Sequence, residues 1–245
     1  MFKIKHFFAV FILPLYLFSI EAQSSSAILT EIASMPSPDR IEADIKTLVG
    51  FGTRHTLSDT QSQTRGIGAA RRWIKSEFEA ISNQCGGCLK VYTQSRTFSG
   101  EKRIPNETEV MNVIAILVGK SDPNRYVIMS GDIDSRITDP LNGTDDSPGA
   151  NDNASGTAGT IEAARVLSQY EFPASIVFVG LSGEEQGLFG GKIMAEVAKK
   201  DGWRIETILN NDMIGNISGI NGVTDNGVAR VFSEATRPTE SAEDA

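Results

Sequence analysis

Apolar positions return every three or four residues between Ser37 and Gly50, with Ile41, Ile45 and Leu48 on one face, and Ser37 followed by Pro38 is a helix-opening pair. The same period runs from Thr64 to Ile81 through Ile67, Ala70, Ile74, Phe78 and Ile81, and Gly86 and Gly87 end it. Both stretches predict covering helices. From Leu89 the period shortens to two: KVYTQSRTF predicts a strand, EKRIPNETE a polar connection, and VMNVIAILVG a second and more apolar strand.

The second half alternates strand with helix. Tyr126–Gly131 (YVIMSG), Ser175–Leu181 (SIVFVGL) and Glu206–Asp212 (ETILNND) predict strands, and the stretches Ser155 to Tyr170 and Glu185 to Lys199 predict helices between them. Continuous apolar strands separated by helices imply a sheet buried on both faces. The expected fold class is α/β: a three-layer α/β/α sandwich with a mostly parallel, mixed central sheet.

The ends read differently. Lys3 and Lys5 precede an apolar run from Phe7 to Ile20, and small residues follow at Ala22 and at Ser24, Ser25 and Ser26, which is the layout of a secretory signal peptide over residues 1–22. The run is short for a bilayer span and Pro14 interrupts it, so the expectation is export, periplasmic or secreted, with no stable membrane insertion after cleavage. Residues 23–236 are expected to form one domain and 237–245 a polar tail. The 245-residue chain is 40% hydrophobic and carries a net charge of −8, an ordinary globular balance. Without the leader, which holds Lys3, Lys5 and Glu21, the charge becomes about −9, which speaks against nucleic acid as a partner. Cys85 and Cys88 are the only cysteines; in an exported chain a C-x-x-C pair reads as a tight local disulfide before a redox or metal motif.

The candidate chemistry lies where strands end. In open α/β sheets ligands bind at the carboxyl ends of the strands, and here those ends carry acids: Asp132 and Asp134 in SGDIDS, Asp152 in PGANDNASG, Glu184 and Glu185 in LSGEEQG, and Asp212 in NNDMIGN. Each acid alone has an ordinary explanation, as a helix cap, a dipole partner or a turn former. Collected at one edge they repel, and divalent cations resolve that conflict. In the adjacent pair Glu184 and Glu185, one residue can hold metal while the other moves a proton between water and a leaving amine.

SGDIDS, PGANDNASG, LSGEEQG and NNDMIG, in this order, resemble the motifs of the co-catalytic di-zinc exopeptidases, the family of secreted bacterial aminopeptidases, glutamate carboxypeptidase and glutaminyl cyclase. The resemblance spans about Val110 to Gly215. It implies two divalent metal ions, zinc by the family's habit, with Asp152 as the bridging ligand, Asp212 completing one position, Glu185 serving the other, Glu184 as general acid/base and Asp134 as a carboxylate that orients a ligand. Asp132 stands where the family has a histidine, and serves as an oxygen ligand. Such an Asp132 offers Asp134 no N–H to accept, so Asp134 has to bind metal, share a proton or lean on Arg136. The family's last ligand is a histidine further along the chain than this sequence runs, which implies the front part of a longer domain and one metal position short of a ligand. Besides His6 only His55 is present, and it reads as a surface or packing residue.

The resemblance therefore implies a metallo-aminopeptidase acting on peptide substrates. Carboxypeptidase and glutaminyl cyclase activity are alternatives on the same scaffold, and an inactive metal- or protein-binding domain is the alternative outside catalysis.

Overall fold

The structure is a computed structural model and describes residues 27–232; the expected leader at 1–22 and the tail at 237–245 lie outside the described residues. After a helical segment at 27–34, helix α1 runs over Pro38–Gly50, with Ser37 accepting the Arg40 N–H as its cap, and α2 over Gly66–Gln84. Strands β1 (Leu89–Phe98), β2 (Thr108–Leu117) and β3 (Asp122–Asp132) follow. An irregular turn over Ala150–Ser155 leads into α3 (Gly156–Leu167), then β4 (Ala174–Leu181), α4 (Phe189–Lys200) and β5 (Arg204–Asn211).

The sheet order is β1-β2-β4-β3-β5. β3, β4 and β5 are parallel, with Ile128 opposite both Val177 and Ile208, while β2 runs antiparallel to β1 and β4. Alternate residues of the central strands face opposite layers, as the pleat demands. Val113, Ala115, Leu117, Ile176 and Phe178 pack with Ile67, Ile74 and Phe78 of α2 and Ile161 and Ala164 of α3, whereas Ile114, Ile116, Val177 and Val179 pack with Met194 of α4. That is the three-layer α/β/α arrangement. Charges tie α1 and α2 to α3 around the buried Asp44 and Glu162: Arg165 of α3 bonds Asp44 of α1 and Glu77 of α2, and Glu162 accepts from Arg40 and Arg165.

Two expectations are corrected. β4 is buried from Ala174 to Gly180, but β5 is not: Ile205, Ile208 and Leu209 are exposed. Among the described residues β5 pairs with β3 alone, so its outer edge and much of both faces meet solvent. The helix expected from Glu185 starts only at Phe189. Gly183 at φ +71° and Leu188 at φ 61° hold a turn, closed by the Gly187 and Leu188 N–H groups on the Glu184 carbonyl, so Glu184 and Glu185 sit in that turn and not on the helix. Cys85 and Cys88 are disulfide-bonded across a Cα separation of 5.6 Å, the local pairing expected. No helix among the described residues is long and apolar enough to cross a membrane.

Candidate active site

β3 ends on Asp132, which is 6% exposed. Directly over this end lies the start of α3, and glycine makes the approach possible: a Cβ on Gly131 would stand 2.5 Å from the Gly156 carbonyl carbon, and one on Gly156 2.0 Å from the Asn211 carbonyl oxygen. The ends of β3 and β5 and the turn bearing Asp152 are thereby drawn together. Asn153 fastens them. Its Nδ2 donates to Asp132 Oδ2 at 3.2 Å and to the Asn211 carbonyl at 2.9 Å, and its Oδ1 accepts the N–H of Gly156 at 3.0 Å and of Met213 at 3.3 Å.

Beyond Asp132 the alternation persists for two residues: Ile133 enters the core and Asp134, 1% exposed, returns to the site side. Asp134 Oδ1 accepts the Glu184 N–H at 3.1 Å, and Oδ2 accepts the Glu185 N–H at 3.2 Å and the Thr56 hydroxyl at 2.8 Å. The three tasks that the sequence offered Asp134 are thus joined by another, holding the glutamate turn. Arg136 pairs instead with Glu185.

Burial follows a gradient across the candidates. Asp132 and Asp134 are buried, Glu184 and Glu185 half-buried, and Asp152 and Asp212 exposed, so the edge is less enclosed than the sequence implied. Burial raises the Asp132 carboxyl to about 8, with Asp134, Glu184 and Asp212 adding to the push and the Asn153 amide opposing it. Glu184 is raised to about 7, chiefly by burial and then by Asp134, Glu185, Asp212 and Asp152. Burial also raises Asp134, Glu185 and Asp212, with Arg136 opposing the rise at Glu185. Two buried guanidiniums, Arg54 and Arg71, lie within electrostatic reach of Asp134 and offset part of this negative charge; burial lowers each to about 10.

Asp132, Glu184 and Asp212 line one cleft of about 250 Å³, with Leu181, Leu188 and Ile208 as its apolar wall. Asp152 and Glu185 lie within electrostatic reach of it but do not line it. The donors suit a divalent cation in kind, because their raised carboxyls mark negative charge that a cation would relieve. In arrangement the side chains stand further apart: among the described residues no three His, Cys, Asp or Glu groups are already disposed as a metal site. His55 is fully buried, its Nδ1 accepting the Leu57 N–H at 3.0 Å, which is the packing role. Asn153, Thr56 and Arg54 were not singled out by sequence; for Asn153 the signal was its place beside Asp152 in a glycine-bounded loop.

Residues 112–242 match the model of Peptidase family M28. A protein of Pyrenophora teres f. teres described as a "Probable zinc metalloprotease" is 44% identical over 202 residues, covering 82% of this chain and 42% of that protein. The chain belongs to Peptidase family M28. All six candidate carboxylates fall inside the M28 match, whereas Arg54, His55 and Thr56 lie upstream of it. The chain spans about half the length of the curated M28 relatives it matches. Among solved structures, LapB from Legionella pneumophila superposes with a TM-score of 0.62 at 20% identity, covering 79% of this chain and 48% of that one. A leucine aminopeptidase precursor from Bacteroides thetaiotaomicron gives 0.59 at 20% identity, covering 74% and 63%. At these identities the likeness is one of fold.

Proposed function

We propose that this M28 chain is a metal-dependent exopeptidase that removes N-terminal residues from peptides. The observation that carries the reading is Glu184: a half-buried carboxyl raised to about 7, in a turn held by Asp134, opening on the cleft that Asp132 and Asp212 share. Asp132, Asp152, Glu185 and Asp212 would hold the metal, zinc by the description of the relatives. Bound there, it would supply Lewis-acid polarisation of the scissile carbonyl and a water of lowered pKa.

Burial, the largest cause of the rise, keeps the Glu184 carboxyl above the ordinary carboxylate range and so closer to the neutral pH at which a shuttle must both take and return a proton. Glu184 takes one proton from the attacking water, and the hydroxide oxygen bonds to the carbonyl carbon. When the C–N bond breaks, the same proton passes from the Glu184 carboxyl to the departing nitrogen, and the second water proton leaves the new carboxyl group for that amine, giving a carboxylate on one product and an ammonium on the other. Asp134, through the N–H groups of Glu184 and Glu185, fixes where the shuttle starts. The negative potential of the cleft draws a substrate's terminal ammonium, and Leu181, Leu188 and Ile208 offer an apolar surface beside it. The Cys85–Cys88 disulfide supports the exported location, since such bonds persist in oxidising compartments.

A substrate panel tests the reading. The protein supplied with Zn²⁺, Mn²⁺ or Co²⁺ is expected to release amine from aminoacyl-anilides and not from their N-acetylated forms. Release from peptides with blocked N-termini would indicate a carboxypeptidase, and cyclisation of N-terminal glutamine a glutaminyl cyclase. No turnover of any member, with metal bound, would leave the binding-domain alternative.

A further inference from the structure

We infer that Thr56 is a positioning residue for Glu184 and Glu185, acting through Asp134, within a buried run Arg54–His55–Thr56 that fastens three site loops at once. The inference rests on reading Glu184 and Glu185 as the working pair. Thr53, Arg54, His55 and Thr56 are each exposed by 1% or less, although they lie in a connection between α1 and α2 that carries no regular structure. Polar side chains are buried so completely only when their partners are fixed, and here the partners beyond this connection and α1 lie in three segments, at 133–134, 148–149 and 186.

Arg54 spends its guanidinium on backbone carbonyls. Nε donates to Ile133 at 2.8 Å, Nη1 to Leu48 at 3.1 Å and Pro148 at 2.7 Å, and Nη2 to Gly149 at 2.8 Å. It therefore joins the residue between Asp132 and Asp134 to the segment just before Asp152. Ser135 braces the same junction, accepting the Arg54 N–H at 3.2 Å and donating to the Ser147 carbonyl at 2.7 Å. The Nε2 of His55 lies 3.1 Å from the side-chain amide of Gln186, the residue after Glu185. Thr56 donates its hydroxyl to Asp134 Oδ2 at 2.8 Å, and that carboxylate receives the N–H groups of both glutamates.

Without the Thr56 hydroxyl, a wholly buried carboxylate loses one of its donors, and its grip on the turn is what weakens. A side chain that only filled space would be replaced by valine at little local cost, since valine matches threonine in shape.

The test compares the wild type with Thr56→Val and Thr56→Ser, reading backbone hydrogen exchange across the chain and the affinity for Zn²⁺. In Thr56→Val, exchange in the 182–188 segment is expected to accelerate about tenfold, as befits the loss of one buried hydrogen bond. Exchange in β2 and β4 should stay unchanged, and Thr56→Ser should restore the wild-type pattern. Zn²⁺ affinity should fall in Thr56→Val, by less than the about 10–100-fold typical of groups bonded directly to a metal ligand because Thr56 acts through Asp134, and should recover in Thr56→Ser. Unchanged exchange at 182–188 in Thr56→Val would overturn the inference; so would acceleration throughout the sheet, which marks a merely structural role. The exchange readout needs neither metal nor turnover, so a wild type that neither binds Zn²⁺ nor cleaves peptides would count against the proposed function and leave the positioning result standing.

Discussion

The Asp134 carboxylate accepts the backbone N–H of Glu184 at 3.1 Å, so a buried acid at the end of one strand holds in place a half-buried acid at the end of the next. Accepting backbone donors ordinarily favours the ionised form, yet burial outweighs it and raises Asp134. The site thus stores unfavourable negative charge in its protein scaffold.

With metal chelated, stability is expected to fall as pH rises from about 6.5 to 9. Asp132 near 8 and Glu184 near 7 hold their protons more tightly in the folded chain than an unfolded carboxyl near 4 does. The folded state therefore binds more protons across this window, and stability is lost as pH climbs through the two folded values. His55, lowered by burial, has its opposite effect below this window, where the unfolded ring would be protonated. Thermal melts in chelator should show Tm decreasing by several degrees, and a divalent cation should remove most of the slope. A Tm that stays flat or rises in chelator contradicts the electrostatic description.

Gly156→Ala should destabilise by about 1–3 kcal/mol, because the added methyl meets the Asn211 carbonyl oxygen at 2.0 Å and backbone cannot swing aside. For a chain of this size that is a Tm drop of about 2–12 °C. Gly191→Ala in α4 is the control: nothing lies within 4 Å of its Cβ, and helix propensity favours alanine by up to about 1 kcal/mol, so its Tm should hold or rise. Equal losses in both variants would contradict the close approach of α3 to β5.

Asp132→Asn should weaken divalent-metal binding by at least about 100-fold, since a direct ligand outweighs the 10–100-fold typical of residues behind the ligands. It should also raise the Tm of the chelated protein at pH 9, because a buried negative charge disappears. Metal titration by calorimetry and melts in chelator read the two effects separately. Unaltered metal affinity would remove Asp132 from the ligand set.

The central sheet was legible because β2 from Val113 to Leu117 and β4 from Ile176 to Leu181 are unbroken apolar runs, and that pattern has few other uses. The exposure of β5 was not legible: periodicity reports what Ile205, Ile208 and Leu209 could bury, not what stands beside them. Glu185 looked helical because glutamate favours helices and apolar spacing continues from Phe189; positive φ at Gly183 and Leu188 decided otherwise. The six carboxylates were legible as ends of strands and starts of helices. Their brace was not, since Arg54 and Thr56 meet their site partners across 78 to 95 residues and carry no periodic signal.

The most direct measurement is turnover of an aminoacyl-anilide by Glu184→Gln, with bound metal counted in the same samples. The account predicts a kcat lower by about 10²–10⁴-fold at unchanged metal content, since the amide can neither take the proton from water nor return it to the amine. Turnover within a few-fold of the wild type, with the metal still bound, would contradict it.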